Sequence, residues 1–188
     1  MAVDPRILPG ARRAIERHGW QGATLERIAA EAGTSRMTLH RRGVTREGIL
    51  AALSAGLEQQ YRDALWPALT APGDGRTRLE QALHALCGVV EENLALVAAL
   101  EDAPRDAIFH DEGENVLTRS TFTGPVERIL RDGAADGSLR RVDDPAETAT
   151  VLFNLIGWTY RHLRRAHGWS PERTTRGVLS IALDGVTA

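Results

Sequence analysis

Apolar residues recur every three or four positions along most of the chain, and no stretch alternates strictly between apolar and polar residues. This spacing predicts helices, because residues three and four apart lie on one face of a helix. Polar or glycine-rich stretches separate the helices, and the clearest of these loops is Ala71-Pro72-Gly73-Asp74-Gly75. We therefore predict an all-α fold of about nine helices.

The predicted helices cover residues 5–18, 24–32, 35–42, 45–66, 77–100, 114–132, 145–167 and 171–183, and Pro104 can open a further short helix. Gly19 ends the first helix, and Trp20 is expected to pack where the chain turns. Pro67 is expected to kink or end the fourth helix, because proline lacks a backbone N–H group.

The segment from Thr24 to Arg42 has the pattern of two short helices joined by a tight turn. Thr24 is placed to cap the first helix, and Thr34 or Ser35 to cap the second. Gly33 follows the last residue of the first helix and can adopt a positive φ without steric cost. In the second helix Leu39 can point into the core, so the basic and hydroxyl side chains face outward. This order of features predicts a helix-turn-helix.

The exposed side chains of the second helix predict contacts with duplex DNA. Arg36 can donate two parallel hydrogen bonds to guanine, and Met37 or Thr38 can contact a thymine methyl group. Phosphate contacts, which position a protein without reading sequence, are assigned to Arg41, Arg42 and Arg46. The alternative is that the two helices form an ordinary packed corner.

The charge of the chain is divided unevenly, which favours DNA binding by the N-terminal part. Residues 1–62 contain ten arginines and six acidic residues, a net charge of +4. Residues 63–188 contain thirteen arginines and nineteen acidic residues, a net charge of −6, and the two parts sum to −2. A basic segment beside an acidic remainder is typical of a protein that meets nucleic acid with one end.

The helix predicted over residues 145–167 has a wide apolar face. Such a face can contact the core of its own subunit and a second subunit together. With the final helix, it can form a four-helix bundle around a two-fold axis. The predicted interface residues are Phe153, Ile156, Tyr160, Leu163, Val178 and Ile181. The alternative is the central helix of a monomer.

Several bulky side chains in the second part of the chain are candidates for a small-molecule site. Such sites combine apolar and aromatic walls with a few polar groups, and this composition favours an apolar or aromatic ligand. The candidate lining residues are Trp66, Leu86, Val90, Phe109, Phe122, Trp158 and His162. Each of them could instead be an ordinary core residue.

Other motifs do not favour catalysis, metal binding or a membrane location. No Ser-His-Asp spacing, phosphate-binding glycine loop or cysteine pair is present, so we expect no enzymatic activity and no cofactor. His110, Asp111, Glu112 and Glu114 are adjacent, which favours a solvated turn over a metal site. The single cysteine, Cys87, suits a reducing cytoplasm. No apolar run reaches the roughly 18 residues of a membrane span, so we expect a cytoplasmic protein.

The helix-turn-helix residues resemble the N-terminal signature of the TetR family of bacterial transcriptional regulators. The resemblance covers residues from about 8 to 55 and is carried by Thr24, Ile28-Ala29, Ala32-Gly33-Thr34-Ser35, Thr38-Leu39, Thr45-Arg46-Glu47 and Ile49-Leu50. It implies a homodimer that binds a palindromic operator, and a C-terminal pocket in which a small molecule releases the DNA. The operator contacts that it implies by position are Thr24, Thr34, Ser35, Arg36, Thr38, His40, Arg41 and Arg46.

The sequence departs from the family pattern at the end of the second helix of this motif. Where the family has an aromatic pair, then phenylalanine and often proline, this chain has His40, Arg41, Gly43 and Val44. Gly43 removes an apolar residue and adds backbone freedom. We therefore expect a looser DNA-binding domain or a lower affinity for the operator.

These observations predict a helix-turn-helix DNA-binding domain over residues 1–46 and a helical ligand-binding and dimerisation domain over residues 47–188. The predicted function is a ligand-responsive transcriptional regulator, a repressor that is released from DNA by a small molecule. The alternative is a helical small-molecule-binding or interaction protein with a degenerate, weakly DNA-binding N-terminal domain.

Overall fold

The computed structural model describes residues 3–102 and 122–186 of the chain. These residues are mainly helical and contain no β-strand, which confirms the predicted all-α class. A 3-10 turn at Pro5–Ile7 precedes the first α-helix, and a π-helical segment at Leu155–Tyr160 joins α8 to α9. The α-helices are α1 (Leu8–Gly22), α2 (Leu25–Glu31), α3 (Arg36–Arg41), α4 (Arg46–Thr70), α5 (Gly75–Glu92), α6 (Leu94–Glu101), α7 (Gly124–Asp136), α8 (Pro145–Asn154), α9 (Arg161–Arg165) and α10 (Pro171–Asp184).

The described residues divide into two compact units. The first unit contains residues 3–57 and 93–102, and the second contains residues 58–92 and 122–186. The first unit therefore extends beyond the predicted boundary at residue 46 and includes α6. Helix α4 contributes residues to both units.

In the first unit, α1 packs against α2 and α6, and α2 packs against α3. Gly10 permits the close approach of α1 to the end of α2, since a Cβ atom at Gly10 would lie 2.5 Å from the backbone nitrogen of Ala32. Gly19 interrupts α1 with a φ of 64°, which confirms that the first regular helix ends there. The largest fully buried side chains of this core are Ile15, Ile28, Leu39, Ile49 and Leu53.

In the second unit, α5 packs against α7, the π-helical segment and α10, and α7 packs against α8. Helices α5 and α7 touch through glycines, because a Cβ atom at Gly75 would lie 2.2 Å from the Cα atom of Gly133. The largest fully buried side chains of this core are Leu65, Leu79, Leu83, Val126, Ile129, Ile156 and Tyr160.

Two predicted helix boundaries are corrected by the structure. The helix predicted over residues 77–100 is broken at Asn93, which is buried and accepts a hydrogen bond from Arg12 Nη1 at 2.6 Å. Helix α4 continues past Pro67 to Thr70. Pro67 is exposed, so water can reach the Asp63 carbonyl group that a donor at position 67 would otherwise bind.

The single helix predicted over residues 145–167 is observed as α8, the π-helical segment and α9 in succession. Asp144 Oδ1 accepts the Ala146 and Glu147 N–H groups at the start of α8, and Ser170 Oγ accepts the Arg173 N–H at the start of α10. The helix expected from Pro104, Phe109 and the polar segment from His110 to Glu114 lie outside the described residues.

A candidate nucleic-acid interface

Side-chain caps set the starts of α2 and α3. Thr24 Oγ1 accepts the backbone N–H of Arg27 at 3.3 Å, as predicted. Of the two candidates for the cap of α3, Ser35 is the one observed, because its Oγ accepts the Thr38 N–H at 3.1 Å. A hydroxyl acceptor at this position satisfies one of the free N–H groups of the first turn.

The turn between α2 and α3 depends on Gly33, whose φ is 65°. The N–H of Gly33 donates to the Ala30 carbonyl at 3.2 Å, and the N–H of Thr34 donates to the Ala29 carbonyl at 2.9 Å. This pair of bonds is the Schellman motif, which places a glycine in the left-handed conformation just after a helix. The sequence-based prediction for Gly33 is confirmed.

Gly43 ends α3 with the same motif. Its φ is 62°, its N–H donates to the His40 carbonyl at 2.9 Å, and the Val44 N–H donates to the Leu39 carbonyl at 3.1 Å. Val44 and Leu39 are both buried, which is the apolar contact that accompanies this motif. Gly43 therefore fixes the end of α3, and the local geometry gives no support to a looser domain.

The outward face of α3 carries side chains with no partner in the described part of the chain. Arg36, Met37, His40 and Arg41 are exposed, and Met37 retains 72% of its accessible surface. No hydrogen bond or ion pair to these four side chains is formed by the described residues. An exposed methionine beside free guanidinium groups leaves both apolar and hydrogen-bonding groups on one surface.

Other predicted contacts are partly engaged within the protein. The hydroxyl groups of Ser35 and Thr38 lie 2.9 Å apart, and Thr34 is half-buried. Arg42 Nη1 pairs with Asp4 Oδ2 at 3.1 Å. The backbone N–H of Arg6, together with the nearby cations, holds the pKa of Asp4 below its usual value.

The side chain of Arg46, a predicted phosphate contact, is half-buried and packs on Trp20. Its Nη2 donates to the Trp20 carbonyl at 2.5 Å, and its Cζ lies 4.3 Å from the centroid of the Trp20 ring. The guanidinium group therefore joins the start of α4 to the end of α1. This partner lies 26 positions away in the sequence, which local spacing does not reveal.

The predicted pocket residues differ in their burial. Leu86, Val90 and Phe122 are buried in the second unit, whereas Trp66, Trp158 and His162 are exposed. Phe109 lies outside the described residues. A cavity of about 400 Å³ lies between the end of α7 and the start of α8, and its lining residues are Leu130, Arg131, Ala134, Ala135, Arg141, Val142, Asp143 and Pro145.

An aromatic cluster in the second unit was not predicted. The ring centroid of Tyr61 lies 4.8 Å from that of Phe122 and 5.8 Å from that of Phe153. The Tyr61 hydroxyl donates to the Phe122 carbonyl at 2.6 Å, and burial raises the pKa of this hydroxyl. The sequence feature that could have indicated this cluster is a tyrosine on the apolar side of a predicted helix, since a buried hydroxyl needs a hydrogen-bond partner.

The predicted interface residues fall into three groups by burial. Ile156, Tyr160 and Val178 are buried in their own subunit, so the prediction that they face a partner is corrected. Leu163 is half-buried, and Phe153 belongs to the aromatic cluster. Ile181 is 69% exposed, and the other large exposed apolar side chains of these helices are Val151 and Trp158.

A polar cluster joins α5 to the helices that follow Asn154. Arg164 donates to Glu91 through Nε and Nη2, at 2.7 Å in each case, and the Tyr160 hydroxyl donates to Glu91 Oε2 at 3.0 Å. The bonds from Arg164 lower the pKa of Glu91, and burial raises the pKa of Tyr160 to about 12.

The described residues hold no group of three or more histidine, cysteine, aspartate or glutamate side chains that could bind a metal ion. Over the same residues, no single helix is long and apolar enough to cross a membrane, although α5 and α6 pass that test when taken together across their break.

Comparison with known families defines the class of protein. A family model described as bacterial regulatory proteins, tetR family, matches residues 7–53, and one described as tetracyclin repressor-like, C-terminal domain, matches residues 72–186. The protein is thus a helix-turn-helix transcriptional regulator with a helical C-terminal domain. The chain belongs to the TetR family of bacterial regulatory proteins.

Solved structures share this fold. The TetR family regulator PfmR from Thermus thermophilus aligns with a TM-score of 0.75 at 21% identity over 95% of this chain and 97% of PfmR. A TetR transcription regulator from Haloarcula marismortui gives 0.74 at 22% identity over 97% of each chain. SmeT, the repressor of the Stenotrophomonas maltophilia multidrug efflux pump SmeDEF, gives 0.69 at 21% identity over 100% of this chain and 92% of SmeT. Among curated proteins, none matches the sequence.

Proposed function

We propose that this protein is a ligand-responsive transcriptional repressor that binds a palindromic operator as a homodimer. One observation carries the proposal: Arg36, Met37 and Arg41 stand free on the outward face of a helix that is capped at both ends. A helix with fixed ends holds the backbone that carries these side chains in place before DNA arrives, so less conformational entropy is lost on binding.

The side chains on α3 fit the two kinds of contact that a recognition helix makes. Arg36, Met37 and Thr38 lie in its first turn, the part that reads base edges in the major groove. His40, Arg41 and Arg42 lie at its end and suit phosphates, although Arg42 must then leave Asp4. Thr24 and Thr34 keep their proposed roles at the edges of this surface.

The homodimer is proposed to form through the last helices of the chain. Val151, Trp158 and Ile181 are 59%, 46% and 69% exposed, and large apolar side chains left in water on neighbouring helices favour association. Two copies of α3 must then stand about 34–36 Å apart to enter successive major grooves of an operator.

The effector is proposed to be a small apolar or aromatic molecule that binds the second unit. The buried apolar side chains of Leu86, Val90 and Phe122 support this ligand class. A ligand that binds more tightly to a dimer with a different spacing of its DNA-binding helices shifts the population away from the DNA-bound form. Helix α4 is the proposed lever, because it begins after α3 and contributes residues to both units.

The alternative of a degenerate DNA-binding domain was based on Gly43. Gly43 occupies a left-handed helix cap, and Val44 and Leu39 are both buried. Gly43 therefore gives no reason to prefer this alternative. We propose no enzymatic activity.

The test is operator selection from random duplexes, followed by anisotropy titration of the selected site. Arg36→Ala with Arg41→Ala is expected to weaken binding and to reduce the slope of log K against log salt by about one unit for each phosphate that is no longer bound. Arg128→Ala, an exposed arginine on α7, is the control and is expected to bind as the wild type does. Unchanged binding by the double variant would refute the assigned contacts.

A further inference from the structure

A second basic surface lies far along the chain from the helix-turn-helix. Residues 161–176 contain five arginines, two histidines and one acidic residue, whereas the rest of residues 63–188 contains eight arginines and eighteen acidic residues. This short segment therefore carries a net charge of +4 within a remainder of −10, with histidine counted as neutral. A cluster of positive charge on an otherwise negatively charged domain is a feature of proteins that bind polyanions.

The structure brings part of this segment into one continuous surface. The His162 and His167 ring centroids lie 5.2 Å apart, and those of His167 and Trp169 lie 6.4 Å apart. The Cζ of Arg173 lies 3.9 Å from the centroid of the Trp169 ring. Arg165 is three residues from His162 along its helix and Arg176 is three from Arg173, so each lies on the face of its neighbour.

Three arginines of this surface have no ion-pair partner in the described part of the chain. Arg165, Arg173 and Arg176 are exposed, and Arg173 lies over the face of the Trp169 ring. Arg164 is different, because Glu91 accepts two of its N–H groups. Glu172 is the single acidic residue of the segment, and hydrogen bonds with its own backbone N–H and with Ser170 hold its pKa below the usual value, so it stays ionised and reduces the net charge by one.

We propose that this surface, formed by Arg165, His167, Arg173 and Arg176, binds the phosphate backbone of duplex DNA. Guanidinium groups match phosphate oxygens with two hydrogen bonds each. Duplex DNA presents one negative charge about every 1.7 Å along its axis. This dense and regular charge can be bound by exposed arginines without a shaped pocket. A membrane would also require apolar side chains that insert beside the basic ones, and no large exposed apolar side chain lies between Arg165 and Arg176, where the tryptophan is half-buried.

The experiment measures binding of a fluorescent random-sequence duplex by the full chain at several salt concentrations. To isolate the second surface, it is carried out in the Arg36→Ala, Arg41→Ala background. In that background we compare the triple variant Arg165→Gln, Arg173→Gln, Arg176→Gln with a matched triple variant at exposed arginines elsewhere in the second unit, Arg76→Gln, Arg128→Gln, Arg141→Gln. Both triples remove three positive charges. Sedimentation of each protein reports its oligomeric state.

The expected result is that the first triple flattens the slope of log K against log salt by about 2.7, or about 0.9 for each of three phosphates. The matched triple is expected to change it by much less. The proposal is overturned if both triples give the same slope, or if polyglutamate displaces the duplex as well as unlabelled DNA does. It is also overturned if the first triple dissociates the oligomer, which would assign the surface to a subunit interface. The choice of DNA as the polyanion rests on the proposed function. Operator binding by the wild type tests that function separately.

Discussion

The guanidinium group of Arg46 lies over the indole ring of Trp20, with its Cζ 4.3 Å from the ring centroid, while its Nη2 donates to the Trp20 carbonyl. This arrangement joins the first residue of α4 to the irregular end of α1, just after Gly19. An arginine in the family signature thus has a structural partner within its own unit.

Arg46→Ala is expected to destabilise the protein by about 1–2 kcal/mol, because it removes a cation–π contact and a hydrogen bond to a carbonyl group. Urea unfolding followed by circular dichroism measures this loss. The salt slope of DNA binding is expected to stay unchanged, because the guanidinium group is held on Trp20. Arg41→Ala should give the reverse pattern, and a flattened slope with unchanged stability in Arg46→Ala would contradict the assignment.

Gly43→Ala is expected to cost about 1–2 kcal/mol, because an alanine at a φ of 62° is sterically strained. Gly56→Ala is the matched control, since Gly56 lies inside α4 with open space around its Cα. That change should stabilise the protein by about 0.5–1 kcal/mol through helix propensity. Equal effects of the two substitutions on the urea midpoint would show that the left-handed cap does not matter.

Glu91→Gln is expected to destabilise the protein by about 2 kcal/mol, since Arg164 then loses its partly buried carboxylate partner. Glu127→Gln is the control, because its pair with Arg131 is an i, i+4 contact on the helix surface that contributes about 0.3–0.5 kcal/mol. If the two variants lose the same stability, the cluster around Glu91 has no special role.

The same cluster predicts a pH dependence of stability. The pKa of Glu91 is lowered in the folded state, chiefly by its bonds from Arg164. Its contribution is therefore fully present above the usual pKa of a glutamate and is lost as the pH falls through the lower pKa of the folded state. Unfolding free energy measured between neutral and acidic pH should fall less steeply in Glu91→Gln than in the wild type. An identical pH profile would exclude this linkage.

Ile181→Asp is expected to convert the proposed dimer into monomer, because it places a charge in an apolar contact. Ala135→Asp is the control, since Ala135 is exposed on α7 and is not one of the proposed interface residues. Sedimentation equilibrium over a range of protein concentrations distinguishes the two. A dimer that survives Ile181→Asp with unchanged affinity would place the interface elsewhere.

Local features of this fold were predictable from the sequence. Thr24, Ser35, Asp144 and Ser170 cap the helices that follow them, and Gly33 turns the chain. Each of these features depends on bonds between residues no more than five positions apart, so the sequence around each one contains all the groups involved. For the same reason the helix-turn-helix and the outward face of α3 could be identified.

Only the tertiary structure decided which side chains those helices present to one another. The packing of the Arg46 side chain, the break at Asn93 and the pairing of Glu91 with Arg164 depend on partners 26, 81 and 73 positions away. The π-helical segment at Leu155–Tyr160 departs from the 3.6-residue period on which the predicted apolar stripe was based, and Ile156 and Tyr160 are buried in their own subunit. Periodicity shows that a face is apolar, but which neighbour covers it depends on how distant segments pack.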